Sequence, residues 1–169
     1  DLAAARTHLN SAAAANANAA EVLNNQGVLA GKEGDYKKAK EYIKKSEEYS
    51  RMIKDIYSEK IAQITDGKIE VKFENYKNAI TILEKANSYF SNLGDTGFSS
   101  ICDFNLGIAH YHLNNYSTSI QYFEKSKNVA INSNSVDNYA TSLIFLAKNH
   151  LKLNKNEEAK KNIDLAKSL

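Results

Sequence analysis

The chain has 169 residues, of which 43% are hydrophobic, and this content suits the core of one domain or a short repeat array. Its 22 basic and 20 acidic residues leave a net charge of +2, which argues against the strongly basic surface of a nucleic-acid-binding protein. The single cysteine, Cys102, excludes an internal disulfide and a multi-cysteine zinc cluster, and no apolar run approaches the roughly 20 residues that span a bilayer.

The first 13 residues carry apolar side chains in the register of later parts of the sequence. Leu2 and Leu9 match apolar positions 40 residues further on. We interpret residues 1–13 as the tail of a helix from a preceding repeat, so the chain is expected to be a piece of a longer array. Because it begins at Asp1 rather than at methionine, we also expect that a leader or a preceding domain has been removed.

Residues 14–169 repeat with a period of 40. The segments GDYKKAKEYIKKSE, ENYKNAITILEKAN and HLNNYSTSIQYFEKSK align on three tyrosines, Tyr36, Tyr76 and Tyr116, and KNEEAKKNIDLAKS continues the register with Asn156. A fixed period of this length is typical of stacked helical repeats. We predict one continuous repeat domain of four helix pairs, at about 14–53, 54–93, 94–133 and 134–169.

Small and bulky side chains recur in each pair at helical spacing. The small residue of the first helix is Gly27, Gly67, Gly107 or Ala147, and that of the second is Ala39, Ala79, Ser119 or Ala159. A bulky residue follows after four positions, at Ile43, Leu83, Phe123 and Ile163. Steps of four place these side chains on one helical face, with small ones where another helix approaches. Each unit is therefore predicted to be two antiparallel helices in contact.

The predicted turns contain no proline, since the chain has none. Gly, Asn, Asp and Ser must then end and begin the helices, through left-handed C-terminal residues and side-chain N-caps. The first helices are expected to end at Phe73, Leu113 and Leu153. Three residues directly before the second helices are predicted N-caps: Asp35, Asn75 and Asn115.

One segment, DGKIEVKFEN at residues 66–75, departs from this pattern. Its alternation of Ile69, Val71 and Phe73 behind an Asp-Gly pair is typical of a strand after a turn. The repeat register indicates a helix instead, because Phe73 aligns with Leu113 and a lone strand would have no partner. We favour the helix.

The third unit carries the clearest family resemblance, through Leu106, Gly107, Tyr116, Ser119, Phe123 and Ser126. With the equivalents of these residues 40 positions away, the chain resembles the tetratricopeptide repeat family. It departs from that family in lacking a closing proline and in having a 40-residue unit rather than one of about 34. Units of this length are similar to those of kinesin-light-chain-type and bacterial peptide-sensing repeat proteins. The resemblance implies an all-α fold, a right-handed α-solenoid of antiparallel helix pairs.

The same resemblance implies a concave groove lined by the first helix of each pair. The expected groove residues are Asn25, Val28, Ile64, Lys68, Ile101, Phe104, Asn105, Ile108, Tyr111, Ile144 and Lys148. An exposed stripe of its isoleucines with Phe104 would be a partner site, because soluble proteins seldom expose such patches. The alternative, about equally weighted, is that these residues pack helix against helix.

Two asparagines and two lysines of this groove have specific expected roles. By resemblance, Asn25 and Asn105 hydrogen-bond the backbone of an extended peptide, or else they tie neighbouring helices together. Lys68 and Lys148 either meet an acidic ligand or remain solvated, and solvation is the commoner outcome. The asparagines that clamp chaperone C-termini in a subset of the family are missing, so chaperone-tail binding is not expected.

Residues with catalytic or metal-binding potential are few. Two histidines at one register position, His110 and His150, are too few ligands for a metal and are expected to be packed. Cys102 and His110 are eight residues apart, but the sequence supplies neither a base within reach nor an oxyanion site. We expect no enzyme activity, no cofactor and no metal.

The most consistent function is a non-catalytic scaffold whose groove binds a protein or peptide. Two alternatives remain: a sensory or regulatory module of a larger signalling protein, and a self-association module that pairs through the solenoid ends. No nucleic acid and no membrane insertion are expected. We expect a soluble chain, with the cytoplasm slightly favoured, although the sequence leaves the compartment undetermined.

Overall fold

A computed structural model describes residues 19–169, so the predicted helical tail at residues 1–13 lies outside the described part. The described residues are all helical apart from short turns and the C-terminus. The helices are α1 Ala19–Glu33, α2 Tyr36–Met52, α3 Ile56–Lys72, α4 Tyr76–Asn92, α5 Thr96–His112, α6 Tyr116–Asn132, α7 Val136–Lys152 and α8 Asn156–Lys167. The predicted all-α fold class is confirmed.

The 40-residue period divides into two equal halves. Each of the helices α2 to α7 is 17 residues long. A three-residue connection follows each of them, so a new helix begins every 20 residues. The predicted helix ends agree with this pattern, since Phe73, Leu113 and Leu153 are the C-cap residues of α3, α5 and α7.

All seven turns between the helices have the same backbone conformation. Each contains one residue with positive φ: Gly34, Lys54, Glu74, Gly94, Asn114, Asn134 or Asn154. In the turn after α2, the Lys54 amide donates to the Arg51 carbonyl at 3.1 Å and the Asp55 amide donates to the Ser50 carbonyl at 2.9 Å. This pair of bonds is the Schellman motif, which satisfies the last carbonyls of a helix.

Aspartates cap three of the helices. The Asp35 carboxylate accepts the Lys38 amide at 3.0 Å, which confirms that predicted cap. Asp55 and Asp95 cap α3 and α5 in the same way. The prediction for Asn115 is wrong in its chemistry: Asn115 occupies the N-cap position of α6, but its amide is turned back to His110 Nδ1 at 3.4 Å and makes no capping bond.

The described residues belong to two compact units, an N-terminal unit that ends at residue 75 and a C-terminal unit of residues 76–169. In the N-terminal unit, α2 packs against α1 and α3, and α1 also touches α3. Its core contains Ala30, Ala39, Ile43, Ala62 and Ile69. The small residue Gly27 is required here, because a Cβ at this position would lie 2.4 Å from Ile43 Cδ1.

In the C-terminal unit, α4 to α8 pack in chain order and α5 also touches α7. Fully buried side chains of this unit include Leu83, Phe90, Leu106, Phe123, Leu143 and Leu146. A Cβ on Gly107 would lie 2.9 Å from two atoms of the Phe123 ring. The Ser119 hydroxyl donates to the Gly107 carbonyl at 2.8 Å, so the predicted small residues do mark a close helix approach.

The segment 66–75 continues α3 as far as Lys72 and then turns. The helix places Asp66 and Glu70 one turn apart, and both contact the Lys40 ammonium of α2. In an extended strand, the carboxylates of residues 66 and 70 would lie too far apart for one ammonium to contact both. The helical interpretation is therefore confirmed over residues 66–72.

Candidate functional site

In the N-terminal unit, the predicted groove residues differ in exposure. Asn25 on α1 and Lys68 on α3 are exposed, and Val28 is half-buried. Ile64 is only 3% exposed, so its assignment to an exposed apolar stripe is wrong. The reason is that α3 is buried around most of its circumference, including the consecutive residues 64–67.

In the C-terminal unit, the predicted residues form an accessible surface on two touching helices. We call it the α5–α7 surface and define it by the predicted residues Ile101, Phe104, Asn105, Ile108 and Tyr111 of α5 and Ile144 and Lys148 of α7, together with Phe145 of α7. Ile101 is 39% exposed and Ile144 is 46% exposed. The remaining residues of α5 in this set are half-buried, and Lys148 is exposed.

Aromatic rings form the floor of this surface. The Phe145 ring stacks on the buried Phe123 ring, with centroids 4.7 Å apart and planes 11° apart. The Phe104 ring meets Phe123 edge-on at 5.5 Å, and Tyr111 meets Phe145 edge-on at 6.0 Å. Such pairs contribute about 0.5–1.5 kcal/mol beyond the area they bury, so the aromatic cluster holds its side chains in place.

Phe145 was not expected to have this role. In the sequence it occupies the position of Asn105 one repeat later, where it interrupts the row of asparagines. The sequence signal that could have identified it is its distance from Phe123. The two phenylalanines are 22 residues apart, which is one 20-residue half-repeat plus two positions. The stacking itself depends on the packing of α6 against α7.

Lys148 lies at the edge of the aromatic cluster. Its ammonium is 4.9 Å from the centroid of the Phe145 ring. A cation over an aromatic face is attracted by the ring quadrupole, by about 0.5–1 kcal/mol at an exposed site. This contact restricts the lysine side chain while leaving its charge accessible to a ligand.

The two asparagines have different surroundings. The Asn105 amide donates to the Ile101 carbonyl of its own helix at 2.8 Å, so this donor is engaged. The same nitrogen carries a second hydrogen and the side chain also has an Oδ1 acceptor, so this bond does not use the full hydrogen-bonding capacity of Asn105. Asn25 is exposed on α1. Peptide-backbone contacts from these asparagines stay a prediction.

A groove of about 380 Å³ continues the α5–α7 surface towards the start of both helices. It is lined by Asp95, Thr96, Gly97, Phe98, Ser100 and Ile101 of the α5 end, Val129, Ala130 and Ser133 of the α6 end, and Asn138 of α7. The sequence did not indicate this groove, because it exists only where the end of α6 meets the beginnings of its two neighbours.

The N-terminal unit contains a buried ionic cluster that the sequence analysis missed. The Lys40 ammonium contacts Asp66 and lies 2.6 Å from Glu70 Oε1, and the Tyr36 hydroxyl donates to Glu70 at 3.1 Å. Burial raises the pKa of Asp66, and the hydrogen bond from Lys40 opposes this rise. The sequence signal for this cluster was the pair of acidic residues Asp66 and Glu70, which lie four positions apart on a helix face whose other residues are buried. The cluster joins α2 to α3.

Cys102 is fully buried and His110 is half-buried. Burial raises the pKa of the fully buried Cys102 thiol to about 12, so little thiolate forms at neutral pH. His110 stacks on Tyr122 with ring centroids 5.4 Å apart, and burial lowers its pKa. Over residues 19–169, no group of three or more His, Cys, Asp or Glu side chains is placed to hold a metal ion.

The fold and this surface define a helical-repeat module. Residues 20–51 match the family model of the tetratricopeptide repeat, and the later helix pairs continue the helical repeat. No curated protein matches the sequence. Across residues 19–169, none of the helices has the length and apolarity needed to cross a membrane.

The solved structures that are similar to the chain include two with the following matches. The first is a Signal Transduction ATPase with Numerous Domains (STAND) protein with a tetratricopeptide repeat sensor, from Pyrococcus horikoshii; it is 22% identical, with a TM-score of 0.75 over 87% of this chain. The chain spans only 23% of that protein. The second is BtubC (BKLC) from P. vanneervenii, 12% identical with a TM-score of 0.60, and the match covers 99% of this chain and 87% of that one. At these identities the similarity establishes the fold alone.

Proposed function

We propose that the chain is a non-catalytic module that binds a protein or peptide through the α5–α7 surface. The observation that carries this proposal is the exposure of Ile101 and Ile144 beside a rigid aromatic cluster. Exposed apolar groups that adjoin a groove are characteristic of binding sites, because a partner that covers them gains the hydrophobic free energy of burial. The inaccessible Cys102 thiol supports a non-catalytic role.

Capture of a partner by the full chain tests the proposal. The bait is used as wild type, as Ile144→Glu, and as Leu165→Glu, in a lysate of the organism that encodes it. Leu165 on α8 is a matched control, because it is 43% exposed and Ile144 is 46% exposed. A charge on the binding surface would have to be buried without a partner, so we expect Ile144→Glu alone to lose the captured protein.

The result that would contradict the proposal is equal capture by both variants. Circular dichroism of both baits must show unchanged helix content, since an unfolded variant would lose binding for a trivial reason. A wild-type bait of dimeric mass that becomes monomeric in Ile144→Glu would instead support the self-association alternative.

A second candidate is a sensory or regulatory module. It is favoured by the similarity to the repeat sensor of the STAND protein, of which the chain spans only a part. If the chain is such a sensor, Ile144→Glu in the complete protein should alter the activity of the domain to which it is linked. An unchanged activity in that variant would remove this candidate.

A further inference from the structure

We propose that the α5–α7 surface selects a peptide with an apolar residue in the 380 Å³ groove and an acidic residue at Lys148, separated by about three residues. This inference rests on the proposed function and adds the chemistry of the partner. It follows from the distribution of charge, from the fixed position of Lys148, and from the lining of the groove.

Accessible charge changes sign along α7, whereas α5 contains no lysine or arginine. The only acidic residue of α5 is Asp103, which is buried and accepts a hydrogen bond from Asn87 at 2.7 Å. In α7 the single acidic residue, Asp137, lies in the first turn, whereas Lys148 and Lys152 lie in the last half. A bound acidic group is therefore favoured near the end of α7 and disfavoured near its beginning.

Lys148 is held in place without being neutralised. Its ammonium lies 4.9 Å from the centre of the Phe145 ring, and that ring is stacked on Phe123. Within the described residues Lys148 has no carboxylate partner, unlike Lys40 and Lys45 on α2. A restricted cation loses less side-chain entropy when it binds a carboxylate, and such charge-assisted bonds are stronger than neutral ones.

The groove, in contrast to the surface around Lys148, has no cation among the described residues that line it. Ile101, Phe98 and Val129 supply apolar walls, and Gly97 adds no side chain to fill the space. The polar part of the lining is uncharged apart from Asp95 and consists of Thr96, Ser100, Ser133 and Asn138. The one carboxylate on its rim, Asp95, is engaged as the N-cap of α5, where it accepts the Phe98 amide at 3.1 Å. A volume of about 380 Å³ without a cation suits a large uncharged side chain.

The separation of the two subsites follows from helix geometry. The groove reaches α7 at Asn138, and the Lys148 ammonium lies at the level of Phe145. The seven residues from Asn138 to Phe145 rise about 10 Å along a helix. An extended peptide advances about 3.3 Å per residue, so about three residues of peptide cover this distance.

Selection from a displayed library of random peptides tests this inference on the full chain. We expect wild-type protein to enrich peptides with an apolar and an acidic residue about three positions apart. Lys148→Glu should bind these peptides at least about tenfold more weakly and should enrich a basic residue in place of the acidic one. Lys160→Glu, the same charge change on an exposed lysine of α8, should leave the selection unchanged.

The outcomes separate the inference from the proposed function. Peptides that lose binding in Ile101→Glu but show no acidic preference, or are indifferent to Lys148→Glu, would overturn the inference and leave the binding surface intact. A library without any peptide that depends on Ile101 would overturn both. A dimer of the chain that Ile101→Glu dissociates would identify a second copy as the occupant and would also overturn the inference.

Discussion

At some turn positions, the backbone conformation is imposed by the turn and is not the one that the residue itself favours. Lys54 and Glu74 have φ values of 60° and 64°, in the left-handed region where a Cβ is disfavoured. Glycine is the usual occupant of such positions, and Gly34 and Gly94 fill two of them. The sequence could not predict a lysine and a glutamate there, since both favour helices and only the repeated turn hydrogen bonds impose this conformation.

Replacing these two residues by glycine should therefore stabilise the protein. We expect Lys54→Gly and Glu74→Gly each to raise the free energy of unfolding by about 0.5–1 kcal/mol, as relief of strain exceeds the added freedom of the unfolded chain. Urea unfolding measures this. Gly94→Ala, at φ 72°, is the converse test and should lower stability by about 1 kcal/mol. A stabilising Gly94→Ala would contradict this explanation.

Two histidines should make the C-terminal unit sensitive to acid. Burial lowers the pKa of His110 and of His150, and the ring nitrogens of His150 have no hydrogen-bond partner. Between the lowered pKa and about 6.5, the unfolded chain binds more protons than the folded chain, so stability falls as pH falls through this window.

The variant His150→Phe tests that effect. We expect the wild type to lose more stability than the variant when the pH is lowered from about 7 to about 5, because the variant has one fewer buried group to protonate. Thermal unfolding across the pH range measures the difference. Equal losses in both proteins would show that His150 does not contribute.

At the scale of helices, close packing of α5 on α6 depends on one glycine. Gly107→Ala would place a Cβ 2.9 Å from the Phe123 ring, which is fully buried and stacked on Phe145, so that moving it away would disturb the packing around it. We expect the free energy of unfolding to fall by about 2 kcal/mol, more than the helix propensity that alanine gains. Denaturant unfolding tests this.

Gly97→Ala is the control on the same helix. Its nearest atom beyond the adjoining residues is Asp95 Oδ1, at 3.4 Å, so alanine fits. Stability should stay the same or rise by up to about 1 kcal/mol. If Gly107→Ala were also stabilising, the two helices would have to be farther apart than described.

The contact of α2 with α3 depends on charge. Removing the cation in Lys40→Met would leave Asp66 and Glu70 buried without their partner, at a cost of about 3 kcal/mol near neutral pH. The pKa of Asp66 is already raised by burial, and without Lys40 it should rise further. Because the folded state then binds more protons than the unfolded state, the variant should regain stability as the pH falls towards about 4.

The matched control for this variant is Lys45→Met on the same helix. Lys45 pairs with Glu41 at 2.6 Å in full solvent, so its loss should change stability little at any pH. Chemical unfolding at several pH values compares the two variants. A loss in Lys40→Met that does not depend on pH would indicate lost packing rather than unpaired carboxylates.

The helices themselves were predictable because local pattern and repeat register agree over most of the chain. They disagreed at residues 66–72, where the Asp-Gly pair and the alternating apolar residues favoured a strand. The repeat register gave the correct answer, since Gly67 falls at the small position of a first helix. The ionic cluster was not predictable, because it depends on how Lys40 of α2 meets the acidic face of α3.

For the whole molecule, the sequence predicted the helical-repeat class and the exposure of several proposed groove residues. Ile101 and Ile144 are exposed as expected, whereas Ile64 is not, because periodicity identifies a helix face but not how many neighbours cover it. The groove beside Ile101 and the stacking of Phe145 depend on tertiary packing. They could be found only in the structure.

The central claim is that a partner lies directly on the α5–α7 surface. Photo-crosslinking tests it, with a benzophenone side chain placed at residue 144 in one protein and at residue 165 of α8 in another. Both positions are similarly exposed in the native chain, at 46% and 43%. The account predicts a covalent adduct with the captured partner from position 144 and none from position 165. An adduct from position 165 alone would contradict it and would place the partner on the last helix.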